Sequence, residues 1–379
     1  MAEPDAPIEP DRVPGCPHPR HTARLIGQAA AEQGFLAAWR EDRLHHAWLI
    51  RGPEGIGKAT LAYRIARAVI ADGPVEGGGL FGDPPAPPSS LDMPNDCPVL
   101  ARMRAGAEPR LSVLRLGVNE KTGKPKTQIV VEDVRAAKGF LQLSAADGGW
   151  RVVIVDPADA MNRSAANALL KMLEEPPAKV LILLVSHAPG GLLPTIRSRC
   201  RTLDLAPLGA EDLAEALTLA GAAPPAADVP GLAELARGSV GRAARLSAGE
   251  GLALYAQLIA LLGPGHLRRS EILRLADLAT GKAGAETYPL LADLFQTLMA
   301  RMARAAATGA PLVEAAPGEA ALAGRLARTP RDAQVWAEMA SRTAERFRHA
   351  MAVNLDPGQT IIDTCLDLDA TLARRRETA

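Results

Sequence analysis

The ten residues from Arg51 to Thr60 read R-G-P-E-G-I-G-K-A-T, between the apolar run Ala47-Trp48-Leu49-Ile50 and a segment whose Leu61, Ile65 and Val69 recur every four residues. A short strand, a glycine-rich loop and an amphipathic helix in that order predict a phosphate-binding loop. The glycines let backbone amides turn toward an anion, and the helix N-terminus adds partial positive charge. Gly52, Gly55, Gly57 and Lys58 fit the pattern, with Lys58 placed to reach terminal phosphates. Ala59, however, stands where a hydroxyl should hold Mg²⁺, and Thr60 points about 100° further round the helix. Two readings of the loop follow: it holds ATP weakly without turning it over, or it holds none.

A second feature argues the same way. The predicted strand Val152-Val153-Ile154-Val155 ends in Asp156-Pro157, one carboxylate with no glutamate after it. Asp156 reads either as a Mg²⁺ ligand through water, and then only with nucleotide present, or as a capping or solvent-facing carboxylate. Pro157 cannot polarise a water molecule, and Asp159 lies too far along to be assumed a replacement. No ATPase activity is expected of this chain alone.

The 379 residues allow two or three domains. Residues 1 to about 20 read as a loose leader, and Leu25, Ile26, Ala29, Ala30, Phe35, Leu36 and Trp39 as a helix before the first strand. Residues 72–98 are a Gly/Pro-rich stretch too poor in apolar spacing to pack, and read as a flexible insertion. Further strands are expected at Leu111–Leu116, 152–156, Val180–Ser186 and Thr202–Leu205, with a turn at 119–124 and a helix from Glu132 to about Leu143. Asn162 or Ser164 should cap a helix faced by Ala165, Leu169 and Leu173, which Pro176 and Pro177 end. Strands alternating with helices predict a parallel sheet with helices on both faces. After Pro207 strand signals stop. Short helices are expected to about residue 249, then long ones; Leu290, Leu291, Leu294, Phe295, Leu298, Met299 and Met302 form a stripe wide enough for the core of a bundle.

Lys+Arg and Asp+Glu are both 43, so no global basic field marks a dominant nucleic-acid binder, although a local basic face stays open. Aromatic residues are 3% of the chain, too few for base-stacking platforms. Cys16, Cys97, Cys200 and Cys365 are far apart and read as reduced thiols. His18/His21 and His45/His46 have no acidic or cysteine partners at ligand spacing. The acidic, Pro-rich start is no signal peptide and no run of about 18 apolar residues occurs; a cytoplasmic protein without a membrane partner is expected. Arg197, Arg199 and Arg201 read, on pattern alone, as a solvated face.

Several segments together resemble the delta-prime family of bacterial DNA polymerase III clamp-loader subunits, members of the AAA+ superfamily. They are Gly27-Gln28, the run L-H-H-A-W-L-I-R-G-P-E-G-I-G-K, the helix S-A-A-N-A-L-L-K-M-L-E-E-P-P, I-R-S-R-C at 196–200 and G-S-V-G-R-A-A-R-L at 238–246. The resemblance covers about two-thirds of the chain and implies three domains: an AAA+ core over 1–207, a helical lid over 208–249 and a C-terminal all-α collar over 250–379. It also implies that Arg199 is a finger acting on the nucleotide of a neighbouring subunit, and that Arg242 faces the chain's own nucleotide. Implied partners are tau/gamma-type ATPase subunits and the delta subunit, with the sliding clamp and primed DNA reached through the complex. Family members usually carry a four-cysteine zinc module where this chain has the Gly/Pro stretch and Cys97, so zinc is not expected. Ala59 and Pro157 separate the chain from the hydrolysing motor subunits. Two rivals remain, an active motor ATPase of the same family and a stand-alone P-loop enzyme such as a kinase.

Overall fold

The computed structural model describes residues 9, 12–41, 44–72, 88–118, 126–142, 148–264 and 266–378. The turn expected at 119–124, positions 73–87 of the expected insertion, most of the leader's first half and the helix end at Leu143 lie outside them. The chain divides into two compact units, Met1–Ala223 with Gly238–Arg242, and Pro224–Arg237 with Ala243–Ala379. The residues expected as a lid are thus shared between the two.

The first unit is built on five parallel strands, β1 (Ala47–Arg51), β2 (Leu111–Arg115), β3 (Arg151–Asp156), β4 (Val180–Ser186) and β5 (Arg201–Asp204). They lie in the order β2-β3-β4-β1-β5. This is the α/β architecture, a parallel sheet with helices on both faces, that the pattern predicts. All seven residues of β4 are buried, which explains its unbroken apolar sequence: both faces of a central parallel strand are covered by helices. Alternate side chains serve alternate layers. Trp48, Ile50, Leu181, Leu183 and Val185 join one cluster with Phe35, Leu36, Leu61, Ile65 and Val69. Ala47, Leu49, Ile182 and Leu184 join the other with Val134, Leu141, Leu169 and Leu173.

The helices supplying those layers are α1 (Ala29–Arg40), α2 (Lys58–Ala71), α3 (Pro98–Arg104), α4 (Val131–Gln142), α5 (Arg163–Glu174), α6 (Pro194–Arg197) and α7 (Ala210–Leu219). Asn162 caps α5, its Oδ1 accepting from the Ala165 amide at 2.9 Å; this is one of the two caps predicted. The leader departs from expectation. Within 12–21, Cys16 and His18 are buried, and the His18 ring meets Tyr63 edge-on at 5.6 Å. The end of the expected insertion packs as well: Leu91 is buried, and Arg40 donates to the carbonyls of Pro88 and Ser89. Irregular segments bury isolated side chains without any period, so pattern reading missed both.

The second unit is helical: α8 (Val229–Ala236), most of α9 (Val240–Ala248), α10 (Gly251–Leu262), α11 (Arg269–Leu278), α12 (Gly281–Thr308), α13 (Glu319–Leu326), α14 (Pro330–Ala352) and α15 (Pro357–Thr378). The predicted stripe on α12 is core: Leu291, Leu294, Phe295, Leu298, Met299 and Met302 are buried, while Leu290 is half-buried. Phe347 of α14 meets Phe295 and Tyr288 at 6.1 and 5.6 Å. Thr329 and Asp332 form a capping box that starts α14. Among the described residues no helix is long and apolar enough to cross a membrane.

Candidate functional site

The loop after β1 needs its glycines. Gly52, Gly55 and Gly57 have φ of 145°, 75° and 99°, values costly for residues with a Cβ. Space is as restrictive as angle. A Cβ on Gly52 would lie 2.7 Å from the Leu205 carbonyl oxygen, one on Gly55 2.4 Å from Ser239 Oγ, and one on Gly57 2.5 Å from Leu25 Cδ1. Gly57 is the N-cap of α2 and no side chain caps that helix. Its first amides therefore face the loop as an anion site would require. Ala59 and Thr60 follow in the first turn, both half-buried.

Lys58 does not point into open space. Its side chain is buried, and Nζ donates to the carbonyl of Gly52 at 2.8 Å and also to that of Pro53. Desolvation drives its pKa down to about 8, against the opposing pull of Asp156, Glu54 and Asp159. Asp156, at the tip of β3, is thus near enough to act on the Lys58 charge. His187, just past β4, titrates below its ordinary value because loss of water and then the Lys58 cation both disfavour its charged form. Asp159 is committed elsewhere. Its Oδ1 accepts from Ser186 Oγ at 2.7 Å, and its Oδ2 from the amide of His187 at 2.5 Å. It fastens the end of β4, and no glutamate takes the place that Pro157 leaves empty of a carboxylate.

The outer side of the loop is closed by Gly238–Arg242. Ser239 Oγ donates to the Glu54 carbonyl at 2.8 Å, and the Gly241 amide to the Gly55 carbonyl at 3.0 Å. Buried Gln28 adds a third tie, donating to the Ala206 carbonyl at 2.7 Å and the Ile56 carbonyl at 3.5 Å. Arg242, half-buried, directly follows the glycine that touches the loop, and its amide donates to Ser239 Oγ at 3.1 Å. Gly52 to Thr60, Asp156 and Arg242 are therefore brought to one end of the sheet.

Arg199 is not among them. In the parallel pairing of β1 with β5, Trp48 sits opposite Arg201 and Arg51 opposite Asp204. Arg199 precedes the start of β5, whereas the loop follows the end of β1, so the two lie beyond opposite ends of these strands. The four residues of β5 stand between them, about 13 Å at ~3.3 Å per residue. Arg199 Nη2 pairs with Glu174 Oε1 at 2.9 Å, and Nη1 donates to the Thr195 carbonyl at 3.0 Å. The arginine is 38% exposed. Sequence reasoning did not single out Glu54, Gln28 as a loop tie, Ser239, His187 or Glu174. Their roles depend on partners remote in the chain, and their spacing carries no signal of them.

Residues 27–209 match the family described as "DNA polymerase III, delta subunit". The chain is 41% identical over 155 residues to DNA polymerase III subunit delta' of Pseudomonas aeruginosa, a match covering 41% of each chain. It is 35% identical over 173 residues to the Escherichia coli subunit of the same name, covering 46% of each. It is 29% identical over 196 residues to DNA polymerase III subunit tau of Salmonella typhimurium, covering 52% of this chain and 27% of that one. The matched region thus spans less than half the length of the two delta' relatives.

Proposed function

Since this chain belongs, over residues 27–209, to the delta-prime family of DNA polymerase III subunits, we propose that it is a non-hydrolysing stator of a clamp loader. On this reading it stands beside tau/gamma-type ATPase subunits and a delta subunit in the cytoplasm. It presents Arg199 to a neighbour's nucleotide while the assembly places a sliding clamp on primed DNA. The collar would come from α10 to α15.

The observation that carries the reading is the place of Arg199. It is partly exposed, beyond the end of the strands opposite the chain's own phosphate loop, which supports action on a nucleotide held by another molecule. A guanidinium delivered in this way stabilises charge spreading over a transferring phosphoryl group, and fingers of this kind are worth 10³–10⁵ in rate in other NTPases. Glu174 holds Arg199 through an exposed pair worth only about 0.2–1 kcal/mol, a restraint that a phosphate readily replaces.

The chain's own loop is a poor fit to Mg²⁺ and ATP as reactants. Ala59 lacks the hydroxyl, Pro157 lacks the carboxylate, and Lys58 is bonded to the loop's own carbonyls. No hydrolytic step is assigned to it. Reconstitution of the complex with Arg199→Ala tests the proposal. DNA-stimulated ATP turnover should fall by about tenfold or more while the complex still elutes intact; unchanged turnover removes the finger assignment. The likeness to a tau subunit supports one rival, an active motor. Steady ATP hydrolysis by the isolated chain, abolished by Lys58→Ala, would select it.

A further inference from the structure

We propose that a groove in the second unit, between the start of α14 and the last turns of α15, binds the phosphate backbone of DNA. The groove encloses about 490 Å³, and Arg328, Arg331, Arg342 and Arg374 line it. Buried Met339 and Thr371 lie beneath them. Four arginines against the two carboxylates of the lining, Asp332 and Glu338, leave a local positive excess in a chain of formal net charge zero.

The carboxylates nearby offset only part of it. Asp332 also holds the helix end, its Oδ2 accepting from the amides of Arg328 and Thr329 at 2.8 and 3.0 Å. Asp367 is divided between Arg342 at 3.3 Å and Arg346 at 3.2 Å. Glu338 is the remaining acid in the lining. On the α15 side, Arg342 and Arg374 both donate to Thr371 Oγ1, at 3.4 and 3.5 Å. Two guanidinium groups gathered at one hydroxyl repel each other, and an anion between them relieves that repulsion while using forks already in place.

The lining chemistry suits the oxygens of a phosphodiester. Every cation in the groove is arginine, whose planar fork matches phosphate oxygens in pairs. The described lining holds no aromatic ring on which a base could stack. Contact is therefore with the backbone and independent of sequence. The preference for DNA over another polyanion rests on the proposed replication role; the groove itself does not.

The test uses the full chain, a labelled oligothymidylate and a labelled duplex, each of about 30 units, with anisotropy read between about 50 and about 200 mM salt. In Arg328→Glu/Arg331→Glu, one new acid falls in the first turn of α14 and the other just before its N-cap, both at the end that suits negative charge, so the fold should hold. We expect affinity to fall about tenfold or more and the salt slope to shrink by about 2. Arg269→Glu/Arg304→Glu, at exposed positions outside the groove, should bind as the native chain does. Native-like binding by the first variant, or no DNA binding by the native chain, overturns the proposal. So does groove-dependent binding of polyglutamate tighter than that of DNA. The Arg199 experiment reads ATP turnover in the assembled complex, so either result stands without the other.

Discussion

Lys58 is folded onto the carbonyls of Gly52 and Pro53 and desolvated until its pKa falls to about 8. An ordinary lysine in the unfolded chain titrates near 10.4, so between about pH 8 and that value the unfolded state binds more protons. Stability contributed by this site therefore rises with pH through that window, and below it the buried charge is a liability. Lys58→Met should be at least as stable as the native chain at pH 7, by as much as about 1–3 kcal/mol, and the gap should close as pH approaches 10. Urea titrations at several pH values measure this. A variant less stable at every pH by a constant amount would mean that the two carbonyls fully offset the desolvation. What could be read ahead at this scale was residue identity at a fixed offset: the methyl of Ala59, the missing acid at Pro157, the arginine at 199. What could not were partners far along the chain, such as Glu174 for Arg199 and Ser186 for Asp159.

Elements were legible where burial is periodic. The strands follow from short apolar runs, and the capped α5 and the α12 stripe from three- and four-residue spacing, because a continuous face of each helix meets the core. The stretch 12–21, by contrast, places Cys16 and His18 inside with no repeat. At α3, Pro98 in the first turn and buried Val99, Leu100 and Met103 carry a helical signal that the surrounding Pro/Gly composition obscured. The tie between the phosphate loop and Gly238–Arg242 was equally hidden, because it is made by backbone groups of segments far apart in sequence. It can be tested as a cycle. Gly55→Ala forces a Cβ at positive φ to within 2.4 Å of Ser239 Oγ, which should cost about 1–3 kcal/mol. Ser239→Ala loses the bond to the Glu54 carbonyl, about 0.5–1.5 kcal/mol. Because the second change removes the atom that the first collides with, the double variant should cost less than the sum. Strict additivity in urea unfolding would show that the two segments do not touch.

At the scale of the whole molecule, the chain passes from the sheet unit to the helical unit at residue 224, returns at 238 and leaves again at 243. The excursion Pro224–Arg237 is secured to the helical unit by charge as well as by apolar packing. Arg301 of α12, 1% exposed, donates to Glu234 of α8 at 2.7 Å and to Glu319 of α13 at 2.6 and 3.1 Å. Glu319 is fully buried and also accepts from Tyr255 of α10 at 2.5 Å and from the Ala315 amide at 2.7 Å. Four helices therefore meet at one satisfied ionic network, and such networks are costly to break from one side. Arg301→Met strands the Glu319 carboxylate and should destabilise the helical unit by about 3–5 kcal/mol, whereas Arg301→Met/Glu319→Met removes both charges and should recover much of that loss. Hydrogen exchange locates the damage. Amides of α8, α10, α12 and α13 should lose protection in the single variant while those of β1 to β5 keep theirs, because each unit has its own core. If the strand amides lost protection to the same extent, the two units would unfold as one cooperative body, and helices outside the sheet unit would be stabilising the sheet that holds the phosphate loop and Arg199.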